Sequence, residues 1–142
     1  MMFKLAKFMS FFAPLWLAGC ASIINIHQVS FETKPCLVPV KDFTYQTCVP
    51  LRATIDQQMI IVPKGFKTDL ASIPRVFWNI LPPQQANFIA PAVLHDYLYE
   101  TKNMKRKKAD DILYSALRES GAKFITASII WLAVRLFGGF HY

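Results

Sequence analysis

Pro91-Ala92-Val93-Leu94-His95-Asp96-Tyr97-Leu98-Tyr99 is the stretch that decides how this chain is read. Phe88, Pro91, Ala92, His95, Leu98 and Tyr99 recur at three- and four-residue steps, which places them on one face of a helix. Upstream of this stretch the apolar residues alternate instead with a period of two. A change of period from strand to helix predicts an α+β fold, with a first helix over 84–100 that Pro91 either kinks or begins.

The helical pattern continues to the C-terminus. A second helix is predicted over 107–120, with Ala109, Ile112, Leu113, Ala116 and Leu117 as its buried stripe and Gly121 as its stop. A third, over 123–137, is apolar almost all round until Arg135. It is expected to be the central core helix, with membrane contact as the alternative. Its uncharged span is too short to cross a bilayer.

Toward the N-terminus, Phe43, Tyr45 and Thr47 alternate with polar residues. The runs Leu51 to Ile55 and Met59 to Val62 flank the polar Asp56-Gln57-Gln58, which suggests a hairpin. Pro39, Pro50 and Pro63 remove backbone donors, so the strands are expected to be short or at an edge. The resulting small antiparallel sheet or hairpin, over about 38–62, would pack on three to four helices. Ser72 as N-cap and Pro74 in a first turn suggest that one of these is a short helix before Pro82-Pro83.

With 142 residues there is room for one domain, expected over 36–142. Lys4 and Lys7, an apolar run from Phe8 to Leu17 and then Leu17-Ala18-Gly19-Cys20 resemble the bacterial lipoprotein signal. Residues 1–19 would be cleaved, Cys20 lipidated, and 20–35 would form a lipid-anchored tether. The resemblance implies palmitate on Cys20 and, because Ala21 rather than an aspartate follows, the inner leaflet of the outer membrane with the domain facing the periplasm. In that oxidising compartment Cys36 and Cys48 are most simply a disulfide, with buried thiols or metal ligands as the alternative.

The formal charge is +7, or +5 once Lys4 and Lys7 leave with the signal. In an envelope setting the natural anionic partners are lipid head groups, other envelope polymers or a partner protein rather than nucleic acid. The one charge run, Lys102 to Lys108, reads as a solvated loop between helices or as a membrane-surface contact.

Few polar residues interrupt the apolar helices. His95 lies in the stripe that should face inward and needs partners for its nitrogens. Asp96 borders that face one position round. Asp69 lies in the link between sheet and helices, and Asp110 and Asp111 in the first turns of helix two, with Asp110 alone bordering the apolar stripe. Each has a structural reading: an Asx turn for Asp69, the helix N-terminus for Asp110 and Asp111, a satisfied core imidazole for His95. Taken together they form a candidate site in which His95 meets Asp69 or Asp110.

Val62 to Arg75 with its Thr68-Asp69-Leu70-Ala71-Ser72-Ile73-Pro74-Arg75, then Ala92 to Tyr99, then Ala109-Asp110, then Ala133-Val134-Arg135 with Gly138 resemble the phage and bacterial family known as domain of unknown function 1353. The resemblance covers about 43–142. It implies a phage or prophage connection and groups Asp69, Ser72, Arg75, His95, Asp96, Tyr99 and Asp110. A looser likeness is to secreted phospholipases A2, whose helix also carries His-Asp with a Tyr three residues on and whose neighbouring helix supplies an Asp to the His. That family's glycine-rich calcium loop and dense disulfides are absent here, so the likeness is one of layout.

Two functions stay open. One is a binding or interaction module of the envelope, in which the polar cluster locks the fold. The other is a periplasmic hydrolase of an envelope lipid or cell-wall bond. It would use His95 as general base with Asp96, Asp69 and Asp110, supported by Arg75 and Tyr99, or a divalent metal ion held by Asp69, His95, Asp96 and Asp110.

Overall fold

A computed structural model describes residues 24–70, 86–140 and 142. The expected short helix after Ser72 lies outside the described residues, as do Cys20, Ser72 and Arg75. The order is β1 (Val29–Phe31), β2 (Leu37–Lys41), β3 (Thr44–Thr47), β4 (Leu51–Ile55), β5 (Gln58–Val62), β6 (Lys67–Thr68), α1 (Ala86–Thr101), α2 (Arg106–Glu119) and α3 (Phe124–Phe137). A 3₁₀ turn over Gly138–Phe140 follows. The fold is α+β, as the change of period predicts.

The strands form two antiparallel sheets of three, ordered β1-β4-β5 and β2-β3-β6. The expected hairpin is β4–β5, paired from Leu51 opposite Val62 to Ile55 opposite Gln58. Asp56 and Gln57 turn it with φ of 47° and 70°, the left-handed pair of a type I′ turn that matches strand twist. Alternation along β4 buries Leu51, Ala53 and Ile55 against the helices and leaves Arg52 outside. Pro39 sits in β2, the edge strand of its sheet, where a missing N–H breaks no ladder. The Cys36–Cys48 disulfide ties the start of β2 to the end of β3, with Cα atoms 5.4 Å apart. Closing that loop contributes about 3 kcal/mol in the chain-entropy picture.

Two features depart from the sequence reading. Residues 29–31, expected in the tether, are a strand: Val29 pairs with Ile55 and Phe31 with Ala53, so the folded unit begins well before Cys36. No clean period marks so short a strand. The second departure concerns the helices. The central one is α2, in which every residue from Ala109 to Leu117 is buried between α1 and α3. α3, expected at the centre, is peripheral. It buries Ala127, Ile130, Trp131, Ala133 and Val134 but exposes Phe124, Ile125, Leu132 and Leu136 to more than half of their surface. Apolar content alone misplaced the centre because α2's carboxylates can be buried once partners satisfy them.

Candidate functional site

α1 presents His95 and Tyr99, one turn apart, toward α2. There Asp110, with no exposed surface, gathers three donors from two helices. His95 Nε2 lies 3.0 Å from Oδ1, the Tyr99 hydroxyl donates to the same oxygen at 2.6 Å, and Arg135 of α3 donates to Oδ2 at 2.8 Å. His95 is 1 % exposed. Burial pushes the Asp110 carboxyl up, but the hydrogen bonds from His95, Tyr99 and Arg135 outweigh it and hold the group below the usual carboxylate range. An ionised carboxylate can only accept, so His95 donates from Nε2 and its tautomer is fixed. Burial, and then the bond to Asp110, pushes the Tyr99 hydroxyl far above its ordinary range.

The surroundings hold this cluster in place. The Tyr99 ring lies 4.1 Å from that of His95 and 5.1 Å from that of Tyr142, whose hydroxyl donates to the Met104 carbonyl. Gly138 leaves room for Tyr99: a Cβ there would stand 2.7 Å from the hydroxyl oxygen. Arg106 at the start of α2 donates to the carbonyls of Val134 and Arg135, at 3.4 and 3.2 Å, and so fixes the helix end from which Arg135 reaches in.

The neighbouring Asp111 is equally buried and has its own set of donors. Trp131 Nε1 donates to Oδ1 at 3.0 Å, while Lys107 and Asn25 donate to Oδ2 at 2.7 and 3.2 Å. Ser115, one turn on, bonds the Asp111 carbonyl and accepts from the His27 backbone N–H, both at 3.0 Å. The segment before β1 is thereby clipped to α2.

His95, Tyr99 and Asp110 come together. Asp96, one position round α1 from His95, accepts from the Thr68 hydroxyl, and Thr68 also accepts from the Leu70 N–H at 3.1 Å. Asp69 is exposed on the surface. The helix N-terminus is not what stabilises Asp110 and Asp111, because they are the fifth and sixth residues of α2, past its first turn. Sequence reasoning left Arg135, Asp111, Trp131, Lys107 and Asn25 out of the site. Two signals were present: Arg135 is the one charge in α3, and Lys107 precedes Asp111 by one helical turn.

The oxygens of Asp110 accept from three groups, one of them a guanidinium. Among the described residues no three His, Cys, Asp or Glu side chains are grouped to hold a metal ion. No buried side-chain nitrogen or oxygen among them lacks a hydrogen-bond partner.

The chain is 33% identical over 78 residues to a protein of Sinorhizobium fredii named "Uncharacterized protein y4jT", an overlap of 54% of this chain and 23% of that one. The chain therefore matches about a quarter of the length of that relative. No solved structure matches it. The family described as "Protein of unknown function (DUF1353)" matches residues 43–134, which takes in β3 to β6, α1, His95, Tyr99 and both buried aspartates and stops one residue short of Arg135. With about two thirds of its length in that match, the chain belongs to the DUF1353 family.

Proposed function

We propose that this is a lipid-anchored envelope protein, facing the periplasm from the inner leaflet of the outer membrane, that works as an interaction module and uses its buried polar clusters to lock three helices together. The observation that carries the lock is saturation: Asp110 is wholly buried, and both its oxygens are taken by donors that are themselves fixed. The Leu17-Ala18-Gly19-Cys20 sequence and the Cys36–Cys48 disulfide support an anchored protein in an oxidising compartment. Labelling with radioactive palmitate in a bacterial host tests the anchor. Wild type takes up label and Cys20→Ala does not; label persisting in Cys20→Ala overturns it.

A second reading, hydrolysis by general base, is favoured by one specific feature. An ionised Asp110 holds His95 Nε2 with Tyr99 on the same oxygen, and this is the layout shared with secreted phospholipases A2. Diethyl pyrocarbonate separates the two. As a lock, His95 in the folded chain acylates no faster than the chain unfolds; a base presented to substrate acylates in the native state, and that outcome would replace the interaction reading with the hydrolytic one.

A further inference from the structure

We infer that the outward face of α3 lies on the lipid surface to which Cys20 is anchored, which names the partner of the interaction module and rests on the anchored reading above. The face is continuous. Ile125, Ile129, Leu132 and Leu136 follow one another at steps of four, three and four along α3, with Phe124 and Phe137 at its ends. All six are exposed. Water-facing positions on a small domain rarely carry so much large apolar surface without a partner.

Chain length decides which partner. Three residues separate Cys20 from Ile24, and even fully extended the four steps between them reach only about 14 Å. Ile24 packs on the apolar cluster to which α2 and α3 contribute Leu117, Trp131 and Val134. Two residues on, exposed Ile26 lines one cleft with Phe124. A lipid attached at Cys20 therefore holds the bilayer surface within that short reach of the α3 side of the molecule. The exposed stripe and the anchor share an edge.

The helix is built for lying on a bilayer rather than crossing it. Fourteen residues span about 21 Å, short of the roughly 30 Å of a hydrocarbon core. No described helix is long and apolar enough to cross a membrane. α3 carries no acidic residue; exposed Lys123 precedes its first turn, while Arg135 in its last turns its guanidinium inward to Asp110. An apolar stripe with an exposed lysine at its start and no acidic residue along it suits an interfacial helix on anionic lipid.

The test uses the full chain, processed in a bacterial host and reconstituted into vesicles of phosphatidylcholine with 30 mol% phosphatidylglycerol, in which the phosphatidylcholine is brominated on its acyl chains. Tryptophan is placed at Leu132 on the stripe or at Met59 on β5, an exposed position on a strand packed toward α1, and the fluorescence added over the parent is followed. The quenching at 132 is expected to exceed that at 59 at least two-fold. Equal quenching at the two positions, with the vesicles still carrying the protein on flotation, overturns the α3 face while leaving the anchor standing. The same holds if 132 is shielded because the chain dimerises through the stripe, which cross-linking would reveal as a doubled mass. Failure to float, together with no palmitate on Cys20, overturns both.

Discussion

Asp110 and Asp111 are adjacent, equally buried, and each accepts from three donors, yet they do different things because of what stands behind the donors. Asp110 looks toward α1, where two of its donors, His95 and Tyr99, are themselves buried. Asp111 looks toward α3 and the N-terminal segment, where Lys107 is 41 % exposed and Asn25 is on the surface. Two carboxylates of equal burial thus differ in how much is stranded when each is removed. That difference teaches that burial of an acid says little about its role until the exposure of its partners is known.

Asp110→Ala is expected to have the largest effect, about 3–5 kcal/mol of unfolding free energy in urea titrations, because it strands two buried donors and an arginine. Asp111→Ala leaves only the Trp131 N–H without an acceptor in the interior, so a smaller loss of about 1–3 kcal/mol is expected. If the two losses are equal, partner exposure is not what separates the sites.

The pH dependence sharpens the same contrast. A folded-state pKa held below the ordinary value means that the Asp110 contribution is present above about pH 4 and is lost as the solution becomes more acidic. Asp110→Asn should flatten that acid limb in melting curves. At the alkaline end, the raised Tyr99 group contributes stability below about pH 10 that fades above it, and Tyr99→Phe should remove the fading. The smallest effect is predicted for Lys107→Met: under about 1 kcal/mol, since a pair with one partner in solvent is screened. A loss matching that of Asp111→Ala would show that the ammonium, not the indole, secures Asp111.

Much of the fold was legible in the sequence, because period is local. The two-residue alternation of Leu51, Ala53 and Ile55 and the three-and-four steps through Leu98 each reflect one face meeting one core. β1 was not legible, since three residues carry no period. The place of α3 was not legible either, because an apolar residue looks the same whether it meets a core or an open surface. Within the site, His95, Tyr99 and Asp110 were found by their polarity on an apolar stripe. Arg135 and Trp131 depend on how α3 is placed against α2, which spacing within one helix cannot convey. Asp96 was grouped with them as the neighbour of His95, Asp69 as a polar residue of the link that could reach it, and both by resemblance. Asp96 accepts from Thr68, and Asp69 stands at the surface.

The most direct test of the lock is the unfolding free energy of a set of replacements at His95: alanine, glutamine, leucine and methionine. A histidine kept to hold the helices together makes every one of them destabilising by more than about 1 kcal/mol. A replacement that leaves stability unchanged or raises it would contradict the lock and mark His95 as a residue retained for chemistry at the expense of stability.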